Sequence, residues 1–114
     1  MNSKAAREWL EGELEGFPSR ASGEDLYRFF LQITKRIVES DDPEDRAWLI
    51  EGLREWIGLR NEPRTMLAVE IASVYHLHEM REDIQRLLDD VRAGNTFSRF
   101  YECPILKAIN GLRT

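Results

Sequence analysis

The stretch Asn61-Glu62-Pro63-Arg64-Thr65-Met66-Leu67-Ala68-Val69-Glu70-Ile71-Ala72-Ser73-Val74-Tyr75 decides the fold class. Asn61 supplies a side-chain acceptor for orphan amides, and Pro63 pre-sets φ in the first turn, which together read as a helix start. From Arg64 to Tyr75 the residues are apolar on almost every face of a helical wheel, with Glu70 and Ser73 as the only wet edge. Such a helix needs neighbours on most sides. The rest of the chain must therefore supply amphipathic helices that cover it.

Downstream, Met80, Ile84, Leu87, Leu88 and Val91 form one narrow apolar stripe closed by Gly94-Asn95, the pattern of an outer helix with a C-terminal cap. The join from His76 to Glu79 has no Gly or Pro, so two layouts stand: one helix over residues 63–93, or a hairpin. Pro104, after Cys103, opens a last short helix ending at Gly111.

Upstream, Asp42-Pro43 followed by Glu44 and Asp45 combines a cap, a fixed φ and dipole-matched acids, and opens a helix that ends at Gly58. Its stripe is Leu49, Ile50, Leu53, Trp56 and Ile57, whereas Trp48 falls beside Glu44, Glu51 and Glu55. The preceding helix starts at Ser22, with Asp25 as the acid of a capping box, and runs to about residue 39. It carries Leu26, Phe29, Phe30, Ile33 and Ile37 on one arc and Tyr27, Leu31 and Val38 on the next, so it should touch two neighbours. Ala5, Ala6, Trp9, Leu10 and Leu14 predict a first helix over residues 3–15, stopped by Gly16 and Phe17-Pro18. No run reads as a strand.

The first helices of the two central hairpins begin about 39 residues apart, within the range of two-helix repeats. Leu67 to Ala72, then Val74, Leu77, Met80, Ile84, Leu87, Leu88 and Asp89, resembles a HEAT repeat in its apolar rhythm and its closing Leu-Leu-Asp. The resemblance covers one hairpin, residues 63–93, and implies a short α-α superhelix of five or six helices. A compact helical bundle explains the same pattern. Either way the expectation is one all-α domain over residues 1–114.

A chain of 114 residues with 42% hydrophobic and 32% charged residues buries a core without disulfides. No apolar run is long enough to span a bilayer, the N-terminus lacks the apolar centre of a signal peptide, and the single Cys103 forms no internal disulfide. The expectation is a cytoplasmic protein with no membrane partner. A net charge of −5 repels phosphate backbones and favours a basic or mixed-charge protein partner.

Few residues offer chemistry. His76, His78 and Glu79 are the densest set of metal-ligating types, but two histidines two residues apart on a helix point to nearly opposite sides. Only a turn there would let both hold one ion, and ordinary surface or turn histidines are the expectation. Cys103 at a helix N-terminus would have a lowered thiol pKa, yet no family signature surrounds it. There is no phosphate-binding glycine loop, nucleotide fingerprint, nucleophile elbow or zinc spacing, and no cofactor is implied.

Recognition is the better-supported use of this surface. An indole off the main stripe and ringed by acids suits a hot spot, which makes Trp48, Trp56, Glu44, Glu51 and Glu55 the candidate interaction residues. The competing expectation places Trp48 against the N-terminal helix through Trp9 or Leu10. The function expected is a small non-enzymatic helical protein-protein interaction module. A narrower form is an acidic immunity or antitoxin protein that neutralises a basic toxin. A metal- or cysteine-dependent enzyme at His76, His78, Glu79 or Cys103 is the rival of another class. A helical DNA reader would need Arg54, Arg60, Arg64 and Arg99 on one face.

Overall fold

The computed structural model describes residues 3–17 and 23–112. Six helices follow one another: α1 (Ser3–Glu15), α2 (Gly23–Val38), α3 (Pro43–Gly58), α4 (Glu62–Val74), α5 (Arg81–Arg92) and α6 (Glu102–Gly111), with no strand among the described residues. The fold is an all-α helical bundle. Its radius of gyration of 13.5 Å matches the roughly 13 Å expected of a folded chain of this length.

The capping residues act as their chemistry dictates. Asp42 accepts the Glu44 amide at 2.9 Å ahead of α3, and Asn61 accepts the Arg64 amide at 3.4 Å ahead of α4. Ser22, the expected cap of α2, and Pro18 lie outside the described residues. As its all-round apolarity requires, α4 is enclosed by α2, α3 and α6, with Thr65 to Val69, Ile71 and Ala72 buried. Glu70 alone in that run is exposed.

Residues 63–93 are not one helix. The chain breaks after Val74 and resumes through a 3-10 turn over His78–Met80. His76 takes a left-handed conformation (φ 52°), the Leu77 amide donates to the Ala72 carbonyl at 2.9 Å and the His76 amide to the Ser73 carbonyl at 3.4 Å. These two bonds are a Schellman ending with histidine where glycine is usual. Gly94 (φ 78°) ends α5 with the same pair of bonds, Asn95 amide to Asp90 carbonyl and Gly94 amide to Val91 carbonyl. Beyond its break the chain leaves α4, and α5 lies mainly against α6 and α3. The side-by-side α4/α5 hairpin implied by the repeat resemblance is thus absent from this packing.

At the end of α3, Arg60 is left-handed (φ 52°), and Thr65 replaces the second Schellman bond. The buried Thr65 hydroxyl donates to the Trp56 carbonyl at 2.8 Å and accepts the Asn61 amide at 3.1 Å. One side chain thereby satisfies two groups that the α3–α4 corner would orphan.

Two seams complete the frame. On the first, α1 lies against α3 so closely that a Cβ at Gly52 would stand 2.8 Å from the Ala6 Cβ. The second is electrostatic: Arg46, Arg54 and Arg60 pair with Glu79, Asp83 and Asp90 at 2.8, 3.0 and 2.6 Å, tying α3 to the α5 side of the bundle.

Candidate functional site

α1 and α2 both pack on α3, with little direct backbone approach to each other. Phe17 after α1 meets Phe29 of α2 at a ring separation of 5.1 Å. The unfilled space over α3 is an open groove of about 570 Å³ lined by Trp9, Glu13, Gln32, Ile33, Arg36, Ile37 and Trp48.

Helical spacing places these groups. Ile33 and Ile37 are one turn apart on α2, and Trp9 and Glu13 are one turn apart on α1. Trp48 is half-buried, and its ring meets that of Trp9 at 5.5 Å with a 49° tilt. Its Nε1 is buried without a hydrogen-bond partner among the described residues. Trp48 is therefore both packed on α1, as the competing expectation had it, and part of a groove wall.

The other expected interaction residues divide. Glu44 and Glu51 are exposed on the Trp48 face of α3, and Glu55 is half-buried with one carboxylate oxygen enclosed. Trp56 does not belong to this surface: it is completely buried, with its ring 5.6 Å from that of Phe30. Its membership of the apolar stripe was the decisive signal. Trp9, Gln32, Ile33, Arg36 and Ile37 were readable only as helix-face residues, because a groove between two helices depends on how far apart they stand.

The candidate chemical groups are dispersed. His76 is exposed, with Nδ1 3.4 Å from the Gly111 carbonyl at the C-terminal end of α6. Cys103, also exposed, sits at the other end of that helix. The ten residues of α6 set those ends some 12–15 Å apart, beyond the reach of a nucleophile–base hydrogen bond. His78 Nδ1 lies 3.6 Å from Glu79, whose carboxylate takes both of its short hydrogen bonds from Arg46 at 2.8 Å. That fork, against the opposing effect of desolvation, lowers the Glu79 pKa to about 2. Among the described residues no group of three or more His, Cys, Asp or Glu is arranged to hold a metal ion.

The arginines that a DNA reader would need do not form one free basic face. Arg54 pairs with Asp83, Arg60 with Asp90, and Arg64 with Glu11 at 2.6 Å. No helix among the described residues is long and apolar enough to cross a membrane.

The chain is similar to an uncharacterized protein of Methanocaldococcus jannaschii, at 28% identity over 81 residues. The aligned region is 69% of this chain and 24% of that protein, so the chain spans about a quarter of its relative's length. No family model and no solved structure matches the chain.

Proposed function

We propose that this protein is a non-enzymatic helical interaction module whose binding site is the groove between α1 and α2. The observation that carries the reading is the groove itself: two tryptophans and two isoleucines gathered in an open cleft with charged residues at its rim. Apolar anchors inside a polar rim are the anatomy of a recognition hot spot. Its volume suits one or two large side chains.

The occupant is an apolar segment of a protein partner that carries positive charge on its flank. Glu13 is in the lining, and Glu44 and Glu51 extend the acidic side beyond Trp48, while Arg36 is the one basic group in the lining among the described residues. The net charge of −5 acts in the same direction by steering basic partners towards the protein. An acidic immunity or antitoxin protein is a specific case of this reading.

The test is co-purification from a lysate of the source organism, with wild type, Gln32→Arg and Glu8→Ala as baits of equal helicity by circular dichroism. Gln32 is exposed on the groove, so the arginine adds bulk and positive charge there without entering the core. The reading requires a stoichiometric partner that Gln32→Arg loses and Glu8→Ala keeps. Equal capture by all three baits places the binding surface elsewhere.

A further inference from the structure

A second surface lies on the opposite side of α4. Tyr75 of the α4 end donates its hydroxyl hydrogen to the Leu31 carbonyl of α2, and His76 lies beside Gly111 at the end of α6. Both α2 and α6 therefore run parallel to α4 and leave a strip of it open between them. That strip carries Glu62 and Glu70, two turns apart and both exposed, with Met66 between them barely reaching the surface.

Aromatic residues wall this strip. Tyr27 comes from α2, and Tyr101 from the 3-10 turn Arg99–Tyr101 that precedes α6. The Tyr27 hydroxyl lies near enough to Glu62, Glu70 and Tyr101 that, after burial, their charges are what raise its pKa. Beside Tyr101 stands Phe100, 90% exposed and the most open large apolar side chain among the described residues.

Neither Glu62 nor Glu70 forms an ion pair among the described residues, whereas Glu11, Glu79, Asp83, Asp90 and Glu102 each hold an arginine. Glu62 is bonded to the Tyr101 hydroxyl, and one face of the Tyr101 ring is covered by Phe97, 5.2 Å away, but neither glutamate has a cationic partner among the described residues. Carboxylates in that state beside partly exposed tyrosines attract a cationic side chain whose face the rings accept. A bare phenyl group beside them gains by covering its apolar area.

We propose that the strip formed by Tyr27, Glu62, Glu70, Phe100 and Tyr101 is a second docking surface, for an arginine- or lysine-bearing segment of a protein partner. It is separate from the α1/α2 groove and does not depend on that groove being occupied.

A fluorescein-labelled peptide of alternating arginine and leucine, titrated with the full chain and followed by anisotropy, tests it. Wild type should bind saturably. Glu62→Gln/Glu70→Gln should weaken binding about tenfold and Phe100→Ala about fivefold, since losing paired charges or a cation–π face is worth factors of this order. Glu44→Gln/Glu51→Gln removes the same two charges from α3 and should change affinity less than about twofold, because a distant exposed charge is largely screened. Gln32→Arg should leave peptide binding unaltered, which separates this surface from the groove. Absence of saturable binding, or equal weakening by the two double variants, would overturn the proposal and leave net-charge attraction alone.

Discussion

Replacing Gly52 by alanine should destabilise the protein even though alanine is the better helix former. In the interior of α3 the exchange gains about 1 kcal/mol of helix propensity. Against this, the new Cβ would meet the Ala6 Cβ at 2.8 Å, the Leu10 Cδ1 at 3.1 Å and the Ala6 carbonyl carbon at 3.2 Å. Carbon atoms prefer roughly 3.5–4.0 Å. Leu10 can rotate away, but Ala6 is held by its backbone, so α1 must retreat by about 1 Å along its main contact. Overpacking of this kind costs about 1–3 kcal/mol, and the rigid neighbour places it near the upper end, for a net loss of about 2 kcal/mol. Urea denaturation followed by tryptophan fluorescence should show a midpoint about 1–2 M lower. The comparison variant is Gly12→Ala, where a Cβ meets nothing within 4 Å, and it should gain about 0.5–1 kcal/mol. Adding Ala6→Gly to Gly52→Ala removes the closest contact and should recover part of the loss. A Gly52→Ala midpoint at or above that of wild type would refute the account of the α1/α3 seam.

Other perturbations probe the corners and clamps. Glu79→Gln removes the charge gripped by Arg46 and should cost about 1 kcal/mol near pH 7, a figure discounted because both side chains are about one-third exposed. Since folding lowers the Glu79 pKa from 4.5 to about 2, that contribution is complete above about pH 4.5 and fades as pH falls towards 2, so wild-type and variant urea midpoints should converge on acidification. Thr65→Val leaves the Trp56 carbonyl and the Asn61 amide without their partner and should cost about 1–3 kcal/mol by thermal or urea melting; an unchanged melt would contradict the role given to this hydroxyl. His76→Gly relieves a left-handed conformation and should raise stability by about 0.5–1 kcal/mol, while a lower melting temperature would mean that the imidazole itself is structural.

How far the molecule could be read from its residues depends on where each signal is local. Helix starts were legible because Asp42-Pro43 and Asn61-Glu62-Pro63 carry their own capping chemistry. The burial of α4 and the outer position of α5 followed from apolar periodicity. The break at His76 was not legible, because the left-handed residue that ends α4 is not glycine and its cost is met by Leu77, which is completely buried just beyond. Thr34 and Thr65 were unreadable as core residues for a related reason: each hides its polarity in a bond to a carbonyl, Phe30 for one and Trp56 for the other. At the candidate site, Trp48 against Trp9 could be anticipated as a pair, but the gap between α1 and α2 is set by tertiary spacing. Trp56 illustrates the opposite case, where stripe membership outweighed the chemical appeal of an indole near acids.

The arginine pairs from α3 also act as a ruler. The buried stripe of α5 consists of Ile84, Leu87, Leu88 and Val91, similar aliphatic groups that would fit nearly as well after a slide of one turn. Shape alone leaves that alignment degenerate. Glu79, Asp83 and Asp90 all meet Arg46, Arg54 and Arg60 in one alignment, whereas a slip of one turn either way would leave an acid opposite only one of the three arginines. Each pair adds little to the depth of the native well, but together they widen the gap between the correct packing and its closest imitation.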